Sequence, residues 1–137
     1  MEKKTIIVIA LIIATLSLTS CQTEEEKARE AAFKYSYAMG NYDIDGAERY
    51  ATEETIETTL AMARTFLSIL DSAYIDSDTP AKLEVTNMEM TSDTSAVVSF
   101  VKNTPIKQDL RFSVEVRKRN GKWLAHSPQN GAESQQR

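Results

Sequence analysis

The sequence predicts an α+β domain in which three helices precede a mainly antiparallel sheet of about four strands, the whole led by a segment that is cleaved off. Between residues 24 and 70 apolar side chains recur at three- and four-residue steps, the spacing of helix faces. From Leu83 onward the period falls to two, as in strands. Asn120-Gly121, flanked by alternating apolar residues, is a two-residue hairpin signal.

The leader comes first. Met1-Glu2-Lys3-Lys4 is basic, Ile6 to Leu18 is a near-continuous apolar run of 13 residues, and small residues follow up to Cys21, the only cysteine. This order is that of an export signal. A membrane span needs about 20 apolar residues, so the run is too short to be one. The alternative is an ordinary secretory signal cleaved elsewhere. Leu18-Thr19-Ser20-Cys21 resembles the lipobox of bacterial lipoproteins, an apolar residue, two small residues and a cysteine. The resemblance implies that Leu18, Thr19 and Ser20 are the recognition residues and that Cys21 becomes a lipidated amino terminus. It also implies palmitate-type acylation and a membrane anchor in the cell envelope, at the outer membrane of a Gram-negative bacterium. The expected organisation is 1–20 signal peptide, 21–26 lipidated cysteine with acidic tether, 27–127 folded domain and 128–137 polar tail.

Once residues 1–20 are removed, 117 remain, one domain's worth. With Cys21 acylated no thiol is left, which excludes an intrachain disulfide, a thiolate metal site and a cysteine nucleophile. Net charge is then near −5. No basic patch interleaved with aromatics occurs, so nucleic acid is not an expected partner. Arg117-Lys118-Arg119 reads as a solvated strand end.

Glu24-Glu25-Glu26 suits a tether or the first turn of a helix, where negative charge meets the positive end of the dipole. In some lipoproteins an acidic cluster after the cysteine also marks the protein for surface display, and this one resembles it. Ala28, Ala31, Ala32, Tyr35, Ala38 and Met39 make the stripe of a first helix, with Phe33 and Tyr37 off it. Gly40 is expected as a left-handed helix stop, and Asp43 as the cap of a short second helix to about Tyr50. Thr52-Glu53-Glu54 opens a third helix. Its stripe Ile56, Leu60, Ala63, Leu67 and Leu70 is widened by Met62, Phe66 and Ile69, a face broad enough to need more than one covering element. Asp71 to Pro80 reads as a loop.

Leu83 and Val85 then alternate out of phase with Met88 and Met90, which predicts a bulge near Thr86-Asn87. Ala96–Val101 is apolar on both phases, like a central strand. Leu110, Phe112, Val114 and Val116 alternate with polar residues. A turn at Asn120-Gly121 pairs Lys118 with Trp123 and Val116 with Ala125, burying Trp123 and Ala125 and sending His126 outward opposite Glu115.

Ala38-Met39-Gly40-Asn41-Tyr42, Ala47, Tyr50-Ala51-Thr52, the helix through Leu60 and Phe66, and Asn120-Gly121-Lys122-Trp123 together resemble the nuclear transport factor 2-like superfamily. Within it, the chain is similar to lumazine-binding-like lipoproteins of undefined activity. The resemblance implies a curved, cone-like sheet, and a partner mode in which two copies pair through the outer sheet face. Some members are isomerases or dehydratases with an acid or base inside the cone.

The interior phase here carries no titratable group, so no catalytic residue is assigned. His126 is expected in a surface pair with Glu115 that raises its pKa. Asn41 to Gly46 imitates the first half of a calcium loop, but position twelve is Thr52 where a glutamate is needed, so no metal and no cofactor is assigned. Tyr35, Met39, Tyr50, Phe66, Phe112 and Trp123 are placed to line a pocket for a small apolar ligand, or to be a filled core. The functional expectation is a lipid-anchored, non-enzymatic binding domain for such a ligand or an envelope partner. A cone-carboxylate enzyme and a dimerising module are the alternatives.

Overall fold

The computed structural model describes residues 21–129. The signal-peptide reading, including Leu18, Thr19 and Ser20, and most of the polar tail lie outside them. Helix α1 (Glu24–Gly40) starts where the Thr23 hydroxyl accepts from the Glu26 amide. Glu24, Glu25 and Glu26 are therefore its first turn and not a tether, so the folded body starts before the expected boundary at 27. Its buried stripe is Ala28, Ala31, Ala32, Tyr35 and Ala38, as the periodicity predicts. With so many alanines facing inward, α1 lies low across all four strands.

Gly40 does not stop this helix with a left-handed conformation. It stays helical, and an added Cβ would stand 3.1 Å from Ala81 Cβ, a tighter approach than side chains ordinarily make. The positive φ, 61°, falls on Tyr42 instead. Helix α2 (Ile44–Glu48) follows, capped as expected by Asp43, whose carboxylate accepts from the Gly46 amide at 2.9 Å. Asn41 Oδ1 accepts from the Ala81 amide and Asp45 pairs with Arg64, so the calcium-like stretch works as a helix stop and restart.

Helix α3 spans residues 53–69 and contains a π turn at Ile56–Leu60. Leu60 is fully buried, and Ala63 and Leu67 lean on the core. The rest of the broad apolar face has no second cover, because Met62, Phe66 and Ile69 are 59%, 58% and 79% exposed. The expected 71–80 loop holds a further helix, α4 (Ser72–Ser77), capped by the Asp71 carboxylate on the Ala73 amide.

Strands β1 (Lys82–Ser92), β2 (Ser95–Asn103), β3 (Leu110–Arg119) and β4 (Lys122–Ala125) form one antiparallel sheet in chain order. The β1 register slips between Val85 and Asn87, at the predicted bulge. Asn120 and Gly121 have φ of 53° and 78°, and the hairpin register matches the expected one, Lys118 opposite Trp123 and Val116 opposite Ala125. A parallel bridge joins Ala51 to Ala125 and ties the start of α3 to the last strand. Phe100, 1% exposed, stands at the centre of β2 with its ring 5.3 Å from that of Phe112.

Phe100→Ala is expected to cost about 3–5 kcal/mol, the range for an aromatic deleted from a closed core. Ser113→Ala on the outer sheet face should stay within about 0.5 kcal/mol. Urea midpoints of the two variants measure the difference.

Candidate functional site

The six residues that sequence places at a pocket divide three ways. Tyr35 and Trp123 are 5% and 4% exposed and belong to the filled core. Met39, Tyr50 and Phe112 are half-buried against it. Phe66 stands apart, on the uncovered side of α3. Burial with no compensating partner pushes the Tyr35 hydroxyl up to about 12.

Two open grooves run along the flank of α1 and join at Lys34 and Tyr50. One, of about 200 Å³, is lined by Lys27, Glu30, Lys34, Tyr50, Lys122 and Trp123. The other, of about 300 Å³, is lined by Phe33, Lys34, Tyr37, Asn41, Arg49 and Tyr50. At the junction the Lys34 ammonium lies 5.4 Å from the Tyr50 ring centroid and 2.6 Å from a Glu30 oxygen. Glu30 holds the Lys34 pKa above its ordinary value.

An aromatic ladder connects the core to this surface. Phe112 stacks on Phe100, Phe33 tilts against Phe100 at 6.4 Å, and Tyr37 stacks on Phe33 at 6.0 Å. Phe33 and Tyr37 were visible in the sequence as aromatics off the helix stripe; their place in the ladder depends on where α1 crosses β2. At the far end, Trp123 Nε1 and Lys118 Nζ both donate to Glu24 Oε2 at 2.8 Å. Those two donors pull the Glu24 carboxyl down to about 2. Arg49 and Lys122 line the grooves in no ion pair among the described residues. The arrangement can hold an apolar body on rings and an anionic end against a rim cation.

Sequence reasoning missed the buried carboxylate. Asp78 is 2% exposed, in a corner between the α1–α2 turn, the end of α4 and the β2–β3 loop. It accepts from Tyr42 Oη at 2.5 Å, Thr104 Oγ1 at 2.6 Å and Lys107 Nζ at 3.3 Å. Burial works to raise its pKa, but the three donors outweigh it and hold the carboxyl below its ordinary value. Burial and Asp78 together drive the Tyr42 hydroxyl well above the ordinary range. Asp78 is the one buried carboxylate among the described residues, and all its partners come from this corner rather than from the core under α1.

His126 lies opposite Glu115 as the hairpin register predicts, its amide donating to the Glu115 carbonyl at 2.8 Å, but the two side chains do not pair, because the Glu115 carboxylate turns to Arg117 at 3.2 Å. Its Nδ1 meets the Thr52 hydroxyl at 3.0 Å, and Thr52 meets Thr55 at 2.8 Å, both threonines fully buried. Burial, then the nearby Arg117 charge, lowers the His126 pKa, with Glu115 opposing; this reverses the rise expected from sequence.

No family model matches this sequence, and no curated protein matches it. The fold is similar to that of an NTF-2-like protein of unknown function from Shewanella oneidensis, 17% identical, with 73% of this chain and 94% of that one covered at a TM-score of 0.51. A ketosteroid isomerase-like protein from Erwinia carotovora atroseptica is 16% identical over 77% of this chain and 92% of its own, at a TM-score of 0.49. The first likeness shows the NTF-2-like fold to which the helix and hairpin residues point.

Because the folded state holds His126 neutral more firmly than the unfolded chain does, its contribution is present above the ordinary histidine pKa. It is lost as pH falls through the lowered folded value. The urea midpoint of the wild type is expected to drop between pH 7.5 and 5.5. His126→Gln, which keeps a polar partner for Thr52 without titrating, should show a flatter profile in that window.

Proposed function

From an NTF-2-like fold whose interior is packed with its own side chains, we propose a lipid-anchored envelope domain that binds a small apolar or amphiphilic molecule in the grooves along α1. The aromatic ladder carries the reading. Phe33 and Tyr37 leave the core and end at one groove, which shares Lys34 and Tyr50 with the second groove, where Trp123 stands. Rings half in and half out of the core favour an apolar guest, and Lys34, Arg49 and Lys122 offer an anionic group a partner.

The isomerase- or dehydratase-like alternative requires a carboxylate free to exchange a proton inside the cone. Asp78 is committed on both oxygens and stands in its corner, so no observation favours that alternative.

The anchor rests on Leu18-Thr19-Ser20-Cys21 and on the exposure of Cys21 two residues before the Thr23 cap. Two or more acyl chains on one residue hold a protein firmly in a bilayer. With only Gln22 between the modified residue and the cap, the domain sits close to the membrane surface. No helix among the described residues is long and apolar enough to cross a membrane.

Labelled palmitate is expected to enter the wild type and to be absent from Cys21→Ala, which should leave the membrane fraction. Unchanged fractionation of that variant would remove the anchor. Trp123, the only tryptophan, reports on the grooves. Titration with dodecanoate should give a saturable change in its emission that Tyr50→Ala weakens at least tenfold with the thermal midpoint held near wild type. A linear, unsaturable response would exclude the groove as the site.

A further inference from the structure

We propose that the α1 grooves hold a single-chain lipid with an anionic head, drawn from the bilayer beside Cys21, its head on Lys27 and Lys122 and its chain over Phe33 and Tyr37. The inference deepens the groove reading above, and it rests on that reading and on the Cys21 anchor.

The two grooves differ in charge. The one at Trp123 carries Lys27, Lys34 and Lys122 against a single carboxylate, Glu30. Lys34 takes up Glu30 at 2.6 Å, and Lys122 is in no ion pair among the described residues. Lys27 stands 3.5 Å from Glu24, which holds Lys118 more closely at 2.8 Å. Lys27 and Lys122 are thus left to meet an anion. Glu25 and Glu26, the acidic residues nearest that end, line neither groove. The groove at Tyr37 sets Arg49 against Asp43 at its rim and offers Phe33, Tyr37, Ala38 and Tyr50 between them. One end of the track therefore suits an anionic head and the other an apolar tail.

Length sets the size of the tail. From Ala31 to Asn41 the flank of α1 runs about 15 Å, at ~1.5 Å per helical residue. Carbon–carbon bonds of ~1.5 Å laid in a zigzag advance about 1.3 Å per carbon, so about twelve carbons fill the track. Both grooves follow the same side of one helix, which makes a single track for a single chain.

The cationic end is also the end beside the anchor. Trp123 Nε1 donates to Glu24 at 2.8 Å, and Glu24 is three residues past Cys21. Three residues span at most about 11 Å, so an acyl anchor on Cys21 holds this end of the track at the bilayer surface. A lipid already in that bilayer has the shortest path to it. One acyl chain keeps a molecule in a membrane only marginally, whereas two hold it firmly, so a single-chain lipid is the one that an open groove can draw out.

Titration of the full chain with straight-chain carboxylates of about eight to about sixteen carbons, read by Trp123 emission, is expected to tighten about two- to fourfold per methylene up to about twelve carbons and then level off. A rise that continues past that length would overturn the fitted track. Lys122→Glu should weaken dodecanoate at least about fivefold and leave dodecanol unchanged. Equal loss for both probes, or loss for neither, would overturn the anionic head while an apolar groove stands; if neither probe binds the wild type, groove and lipid fall together. Phosphatidylcholine vesicles bearing the acylated chain test the source. Brominated lysophosphatidylglycerol in them should quench Trp123, and its brominated two-chain parent should not. Equal quenching by both, or quenching by neither, would overturn the lipid drawn from the bilayer.

Discussion

The structure depends on how closely α1 can approach the sheet. Ala28, Ala31, Ala32 and Ala38 present methyl groups where larger residues would act as spacers, and Gly40 gives up even the methyl to pass Ala81. A helix seated this low packs Tyr35, Phe100 and Trp123 into one buried cluster between itself and the sheet. One row of small residues therefore decides where the proposed ligand would lie. With the floor occupied, the available apolar surface is at the flanks, where Phe33 and Tyr37 lean out from the same helix.

A second joint holds the layers in place. The Thr52 amide donates to the Ala125 carbonyl at 2.9 Å, and the Ala125 amide donates to the Tyr50 carbonyl at 2.6 Å. Buried Thr52 and Thr55 then share hydroxyl contacts with His126, Ala125 and Ser127. The Thr58 hydroxyl accepts from the Gln129 amide, and Thr59 donates to the Ser127 carbonyl. Those contacts fall on the π turn, whose extra residue rotates the helix beyond it by about 100° relative to an uninterrupted α-helix. The threonine contacts on this turn are with the segment that follows β4, and the apolar line left uncovered beyond it is Met62, Phe66 and Ile69.

What could be read from the sequence follows how far each cause acts along the chain. Asn120-Gly121, the Asp43 cap and the phase change before Met88 are local, and each appears where expected. The hairpin then carries its register outward to Trp123 and Ala125. The left-handed residue was misplaced by two positions, because Gly40 serves a contact with Ala81 that no local pattern announces. The same limit explains Asp78. It lies in a run of polar residues that looks like a loop, and only the folding of Tyr42, Thr104 and Lys107 around it makes a buried site. Of the pocket residues, Tyr50 and Trp123 line the grooves, whereas Phe66 does not join them, since period alone cannot say which half of a wide helical face meets the body.

Asp78 also bears on what kind of chemistry the fold supports. A carboxylate that transfers protons needs a pKa near working pH and an oxygen free for substrate. Here burial works to raise the carboxyl, but Thr104, Tyr42 and Lys107 take the oxygens and hold it below its ordinary value. The result is a corner brace: one side chain joins the α1–α2 turn, the end of α4 and the β2–β3 loop, and Tyr42 keeps its left-handed backbone within reach of that side chain. Removing the carboxylate would leave the Tyr42 and Thr104 hydroxyls to find other partners in a closed space, a loss of structure before any loss of reactivity. Arg49 and Lys122, in no ion pair among the described residues, line the α1 grooves beside Tyr50 and Trp123, and cations placed so would serve recognition more readily than proton transfer.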